Sequence, residues 1–180
     1  MPGTVTLSMW SEQDEPLLAL ANAPAMTRHL NGPEPADALH ERHRRYLRLQ
    51  DQGTARMFRI DRDGAPAGSI GWWGSEWSGA PVHEAGWFVL PQAQGRGVAA
   101  EALRLLLVDV AEHAVHERLA AFPAVGNVAS NALCRRSGFL LEGQLEEEFR
   151  GAPLRMNAWL RPARRPAVAA ADPRCVVDRR

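Results

Sequence analysis

The feature that most constrains the fold is a glycine-containing turn between an apolar strand and the longest amphipathic helix of the chain. The strand is predicted over Val82–Leu90, the helix over Gly97–Val115, and a second strand over Arg118–Pro123. The turn reads QGRGVA at residues 94–99, and its two glycines let the backbone bend tightly and approach a ligand. Because a helix N-terminus offers unpaired N–H groups and a positive dipole end, this segment predicts a pyrophosphate site. A glycine-rich helix start without a ligand is the alternative.

The same glycines also match the loose dinucleotide-binding pattern GxGxxA, through Gly95, Gly97 and Ala100. That pattern requires an acidic residue at the end of the next strand, where the chain instead reads PAVG at residues 123–126. It also requires more parallel strand–helix units than remain after residue 115. The sequence therefore disfavours a dinucleotide-binding domain.

The rest of the chain predicts a mixed α+β protein. Further helices are predicted over residues 11–22, 35–50 and 128–137, and further strands over residues 4–9, 55–61, 67–73, 139–149 and 154–160. Residues 74–81 (GSEWSGAP) are predicted to form a loop. The strands around residue 64 form an antiparallel meander, whereas the strand–helix–strand unit across the long helix predicts a parallel pair.

Composition excludes several kinds of chemistry. All 21 basic residues are arginine, so no Schiff-base lysine, pyridoxal-phosphate anchor or Walker-type phosphate loop is available. The net charge of zero disfavours binding to nucleic acid. The two cysteines, Cys134 and Cys175, form no CxxC pair, and no metal-binding pattern of histidines and cysteines occurs. Without a signal peptide or an apolar run long enough to span a membrane, we expect a cytoplasmic protein.

Two motifs give the chain a resemblance to a known family. The first is Gln94-x-x-Gly97-x-Ala99 after a strand that ends in Leu-Pro, and the second is the NVASNALCRRSGF block at residues 127–139. Together they resemble the GCN5-related N-acetyltransferases (GNAT), in the branch that includes the ribosomal-protein N-terminal (alanine/serine) acetyltransferases. The resemblance implies a GNAT-like fold: a six- to seven-stranded, mostly antiparallel sheet with a splayed parallel pair and about four helices. It assigns residues 1–160 to one such domain, and we expect residues 161–180 to be a disordered tail.

The resemblance also implies the reaction. The protein is expected to transfer an acetyl group from acetyl-coenzyme A to a primary amine by direct attack in a ternary complex, without a metal. The acceptor is either a small molecule or a peptide N-terminus, including that of one specific protein. A coenzyme-A-binding protein without turnover is the alternative from another class, and a homodimer is expected by analogy.

Coenzyme contacts are carried over from the family onto this sequence. The backbone of Phe88, Val89 and Leu90 is expected to pair with the pantetheine arm, and the amide of Val89 to polarise the thioester carbonyl. The backbone amides of residues 95–100 are expected to hold the pyrophosphate. The remaining candidates for coenzyme binding are Gln94, Gly95, Arg96, Gly97, Val98, Ala99, Ala100, Asn127, Asn131 and Arg136.

Catalysis is assigned to three side chains by the same resemblance. Glu84, a carboxylate in an otherwise apolar strand, is the candidate general base, with a structural hydrogen bond as its alternative. His83 faces the other side of the strand and is a weaker candidate. Cys134 occupies the position at which many family members carry a tyrosine that protonates the leaving thiolate. This departure removes the usual acid, and Ser130, one turn earlier on the same face of the predicted helix, could donate the proton instead. An ordinary hydroxyl in the first turn of the helix is the alternative for Ser130.

The acceptor pocket is predicted from aromatic residues. Trp72, Trp77 and Trp87 lie on adjoining strands or their loop, and the alternation of a strand places neighbouring side chains on opposite faces. Part of this set is expected to form the acceptor wall together with Arg28 and His29. Core packing or a dimer surface is the alternative for these tryptophans.

Overall fold

The computed structural model describes residues 3–164, and in this range the chain forms one seven-stranded mixed sheet. The strands are β1 (Val5–Met9), β2 (Ala55–Arg62), β3 (Ala65–Trp77), β4 (Ala80–Val89), β5 (Arg118–Ala121), β6 (Leu140–Phe149) and β7 (Ala152–Pro162). Their order across the sheet is β1-β2-β3-β4-β5-β7-β6. Neighbouring strands are antiparallel except β4 and β5, which are parallel. The expected mixed sheet is therefore confirmed.

Five α-helices accompany the sheet within the described range. They are α1 (Glu15–Ala21), α2 (Pro24–Thr27), α3 (Ala36–Asp51), α4 (Val98–His113) and α5 (Val128–Arg136). Helix α2 is a single turn that the sequence analysis did not predict. None of the helices is long and apolar enough to cross a membrane.

The prediction of a loop over residues 74–81 is wrong. Strand β3 continues to Trp77 and β4 begins at Ala80, so only two residues make the turn. Both are left-handed, Ser78 with φ 51° and Gly79 with φ 75°, which is the geometry of a tight two-residue hairpin. Glycine and serine at residues 74–75 indicated a loop, but cross-strand pairing extends the hairpin through them.

The core lies on both faces of the sheet. On one face, α4 buries Val98, Ala102, Leu106 and Val110 against the strands, in agreement with the apolar stripe of its sequence. The other face is covered by a second cluster that includes Trp10, Leu17, Leu18, Met57 and Leu90 and involves α1 and α3. The two layers hold β4 from both sides and so fix its position.

Strand β7 continues to Pro162, two residues past the predicted domain boundary. From residue 165 onward, the predicted disordered tail lies outside the described residues.

Candidate active site

Strands β4 and β5 separate and leave a cavity of about 780 Å³. Within the described sheet, β4 and β5 pair only at His83↔Leu119 and Glu84↔Ala120. Beyond Glu84, β4 continues to Val89 paired with β3 on one side and without β5 on the other. The cavity is lined by the end of β4, the glycine turn, the start of α4, the β5–α5 connection, α5 and the segment after α2. Its size and its position at the carboxyl ends of a parallel pair are those of a ligand site.

The glycine turn and the start of α4 form one end of this cavity. Gly95 and Gly97 have φ of 69° and 77°, and a Cβ at either position would meet nothing within 4 Å. The glycines are therefore required for their backbone conformation and not for space. Val98, Ala99 and Ala100 line the cavity in the first turn of α4, where helix N–H groups have no intrahelical acceptor. This end offers the free N–H groups that the predicted pyrophosphate site requires.

The free edge of β4 offers two backbone amides to the cavity. Leu90 N donates to Ala67 O of β3 at 2.8 Å. In an antiparallel pair, alternate residues make such bonds, so Phe88 also directs its N–H toward β3. Trp87 and Val89 direct theirs to the opposite side, where β5 has turned away. Phe88 lines the cavity and Leu90 does not, but both N–H groups point to β3, so the N–H groups of β4 that are free for a pantetheine arm are those of Trp87 and Val89.

Two other predicted coenzyme residues, Gln94 and Arg96, do not present a free side chain to the cavity. The amide of Gln94 lines the cavity but donates to Val89 O at 2.8 Å, so it fixes the end of β4. Arg96 lies outside the lining, whereas Asn127 and Arg136 are part of it.

Glu84 lines the cavity and is half-buried at the point where the two strands separate. Burial raises the pKa of its carboxyl above the usual range, hydrogen bonding by Ser75 and Trp73 opposes this, and the charge of Glu147 adds to it. Neither Ser75 nor Glu147 was singled out from the sequence, because both contacts form across strands. His83 faces the other side, buried, and its Nε2 accepts the N–H groups of Val115 and His116.

Helix α5 places Ser130, the candidate proton donor, in the cavity, but not Cys134. Ser130 lines it, and the Asn127 side chain caps the helix by accepting Ser130 N–H at 3.1 Å. Cys134 is fully buried and outside the lining, and burial raises the pKa of its thiol to about 12. Cys134 was predicted to lie in the active site together with the catalytic side chains. This is wrong, because the helix turns the side chain of Cys134 into the core.

Asn131 has a structural environment instead of the predicted coenzyme contact. Its Nδ2 donates to Ala124 O and Asn127 O at 2.9 and 2.8 Å, and its Oδ1 accepts from Asn157 Nδ2 and Trp159 Nε1 at 2.7 and 2.8 Å. The side chain is buried and all its hydrogen-bonding capacity is used. It ties the cavity-lining β5–α5 connection to β7.

We expect Asn131→Ala to destabilise the fold by about 2–3 kcal/mol, because it leaves the buried indole N–H of Trp159 without a partner and removes one of the two hydrogen bonds that the carbonyl of Ala124 accepts. Denaturant unfolding of the variant measures this. Gln144→Ala, which removes an exposed amide bonded to Asn157, serves as the control and is expected to change stability by less than about 0.5 kcal/mol. Equal stability of both variants contradicts the structural role of Asn131.

The predicted acceptor wall is only partly correct. Trp87, Arg28 and His29 line the cavity. Trp72 lies in the core, 3% exposed, and its indole N–H donates to Asp109 at 2.8 Å. Trp77 packs beside Phe122 and outside the lining, with ring centroids 5.8 Å apart. The positions expected for Trp72 and Trp77 are therefore wrong, and core packing, the alternative, accounts for them.

The segment that carries Arg28 and His29 is fastened to the β6–β7 hairpin. Asn31 Nδ2 donates to Phe149 O at 2.8 Å and to Ala152 O at 3.0 Å. The turn at Asn31 was visible in the sequence, but its partners 118 or more residues away were not. No group of three or more potential metal ligands occurs in residues 3–164.

Comparison with known proteins agrees with this geometry. The sequence model described as "Acetyltransferase (GNAT) domain" matches residues 4–140, more than half of the chain. No match was found among curated proteins.

Solved structures share the fold at low sequence identity. The RimL ribosomal L7/L12 alpha-N-protein acetyltransferase in complex with coenzyme A is 24% identical, with a TM-score of 0.74, covering 88% of this chain and 94% of that one. An acetyltransferase from Salmonella typhimurium that modifies the N-terminal serine of L7/L12 is 23% identical, with a TM-score of 0.73 and coverage of 88% and 95%. Spermidine N-acetyltransferase from Vibrio cholerae, in complex with coenzyme A and spermine, is 20% identical, with a TM-score of 0.72 and the same coverage.

The family match, the splayed β4–β5 pair and the glycine turn at the start of α4 all agree. The chain belongs to the GCN5-related N-acetyltransferase family and is an N-acetyltransferase.

Proposed function

We propose that the protein acetylates the primary amine of a small molecule, by direct attack on acetyl-coenzyme A in a ternary complex. The observation that carries this proposal is the position of Glu84, half-buried in the same cavity as the α4 N-terminus and the free edge of β4. The chain has no net charge, so a basic surface to which a protein acceptor could dock is not expected. This favours a small molecule as the acceptor. A peptide N-terminus is the second candidate acceptor, supported by the fold shared with the L7/L12 acetyltransferases.

In the proposed reaction, Glu84 accepts a proton from the acceptor ammonium, directly or through one water. The freed amine nitrogen attacks the thioester carbonyl carbon, the carbon–nitrogen bond forms and the carbon–sulfur bond breaks. The amide N–H groups of Trp87 and Val89 polarise the carbonyl oxygen, in a cavity where such donors are already in place. Ser130, from the facing side of the cavity, donates a proton to the leaving sulfur and regains one from solvent.

The surroundings of Glu84 support the role of a general base. A carboxylate whose pKa is raised by burial is a stronger base than one in water, and it remains ionised at neutral pH provided its pKa stays below that pH. The hydrogen bonds from Ser75 and Trp73 are also compatible with the structural alternative, whereas no salt bridge that would hold Glu84 ionised occurs in the part of the chain that the structure describes.

The pH dependence of kcat/KM tests this proposal. Activity is expected to fall as the pH decreases through the raised pKa of Glu84, because the protonated carboxyl cannot accept a proton. Ser75→Ala removes a hydrogen bond that lowers this pKa, so the acid limb shifts to higher pH. Glu147→Gln removes a repelling charge, so the limb shifts to lower pH. Shifts in the same direction, or none, contradict Glu84 as the titrating base.

A coenzyme-A-binding protein without turnover is the competing proposal. A thiol-release assay with a panel of primary amines distinguishes the two, because only an enzyme produces coenzyme A and an acetylated amine in equal amounts.

We further propose that the protein works as a homodimer in the cytoplasm. The proposal of a dimer rests on analogy with the family. The proposal of a cytoplasmic location rests on the availability of acetyl-coenzyme A in the cytoplasm. Sedimentation at micromolar concentration tests the dimer.

A further inference from the structure

We infer that the acceptor carries an anionic group close to its amine, and that Arg28 binds this group. The inference rests on the proposed function, and it adds the charge class of the acceptor. Arg28 lines the cavity and is exposed to it. No assigned step of the acetyl transfer uses this side chain.

The guanidinium of Arg28 has unused capacity. Its Nε–H donates to His29 Nε2 at 3.2 Å, and this bond orients the group. The two terminal nitrogens make no hydrogen bond, and the side chain makes no ion pair, to any residue in the range 3–164. Two terminal N–H groups that point the same way match the two oxygens of a carboxylate or a phosphate.

Arg28 is carried by a segment that is held in place. Besides the bonds of Asn31 to the β6–β7 hairpin, Glu34 forms ion pairs with Arg150 at 2.6 Å and with Arg42 of α3 at 2.8 Å. These three side chains are largely buried, so the ion pairs are shielded from solvent. A fixed backbone lowers the entropy lost when Arg28 binds a ligand.

The β6–β7 hairpin contacts the segment that carries Arg28 and also lies near Glu84, the proposed base. Strand β6 carries Glu147, two residues before Phe149, to which Asn31 binds. The charge of Glu147 acts on Glu84, so the hairpin lies near the proposed base. His29 lies beside Gly126, where its Nδ1 is 3.9 Å from the position of an added Cβ, and thus faces the β5–α5 connection. The same segment also contacts the glycine turn, where the side-chain amide of Gln94 donates to Met26 Sδ at 3.4 Å, so Arg28 lies in the chain between a contact with that turn and a contact with the hairpin.

An acceptor space with Glu84 on one side and Arg28 on another suits a molecule with both charges. The ammonium lies at the carboxylate that deprotonates it, and the anion lies at the guanidinium. The anion can be the carboxylate of a free amino acid, a phosphate, or the acidic side chain of a peptide near its N-terminus, which share the same chemistry.

Matched acceptor pairs test the inference. The pairs are phenylalanine and phenylalaninamide, phosphoethanolamine and ethanolamine, and the peptide amides Ala-Asp-Phe and Ala-Asn-Phe, each assayed by release of coenzyme A. In the wild type, kcat/KM is expected to be higher for the anionic member of at least one pair, which identifies the source of the anion. Arg28→Gln is expected to lower kcat/KM for that member about 10- to 100-fold and to leave the neutral member nearly unchanged. Arg28→Glu is expected to reverse the preference.

Arg45→Gln is the control. It removes the same charge from the chain, but Arg45 is an exposed residue of α3 outside the cavity lining. Binding of acetyl-coenzyme A, measured by calorimetry, is expected to be equal in all variants. Weaker coenzyme binding in Arg28→Gln, or equal losses for both members of a pair, overturns the inference. If no amine in the panel is acetylated, the proposed function fails first, and that outcome is distinct from acetylation without preference.

Discussion

Replacement of Glu84 by Gln is expected to lower kcat about 10²- to 10⁴-fold, because the amide cannot accept a proton from the acceptor ammonium. The side chain keeps its shape, and its burial in β4 is unchanged. The dissociation constant of acetyl-coenzyme A is therefore expected to stay the same, since the coenzyme is held by the glycine turn and the β4 edge. Steady-state kinetics and calorimetric titration measure the two quantities separately.

Glu76→Gln is the matched control for this variant. Glu76 lies on β3 with its side chain exposed and outside the cavity lining, so the substitution removes the same charge from a neighbouring strand. Equal activity of Glu84→Gln and the wild type contradicts the general-base assignment and favours the structural alternative. A residual rate that rises with pH is expected in Glu84→Gln, because free amine forms in solution and needs no base.

Substitution of Gly97 by Glu is expected to weaken binding of acetyl-coenzyme A about 100-fold or more, through repulsion between the new carboxylate and the pyrophosphate. Gly97 precedes α4 with φ of 77°, and a Cβ at this position would meet no atom within 4 Å. The cost to the fold is therefore that of a left-handed residue, about 1–2 kcal/mol.

Gly97→Ala separates the two effects, because it has the same backbone cost without the charge. Both variants are expected to lose similar stability in thermal unfolding, while only the Glu variant loses most of its affinity in calorimetry. Equal affinities in Gly97→Glu and Gly97→Ala contradict a pyrophosphate site at this turn.

The sequence predicted those parts of the site that depend on local geometry. The glycine turn, the helix that follows it and the parallel pair around it are consecutive in the chain, so residue type and spacing were sufficient. The placement of Glu84, Ser130 and Asn127 in the cavity follows from the same strand–helix–strand unit. The family resemblance supplied the ligand, which local patterns left open.

Features that depend on distant pairing were not predictable in this way. Alternation places Trp72 and Trp73 on opposite faces but does not say which face meets α4, and Trp72 is the one in that core. Similarly, the hydrogen-bond alternation in β4 depends on its register with β3, which decides that the backbone N–H of Trp87, and not that of Phe88, points to the cavity. The Asn31 contact with the β6–β7 hairpin joins segments more than 100 residues apart.

Residue-resolved amide hydrogen exchange, with and without acetyl-coenzyme A, shows whether the coenzyme lies along the free edge of β4. The account predicts that the coenzyme slows exchange of the amides of Trp87 and Val89, together with those of the first turn of α4. The Phe88 amide, which already faces β3, is expected to change little. Unchanged exchange at Trp87 and Val89 under saturating coenzyme would contradict the account.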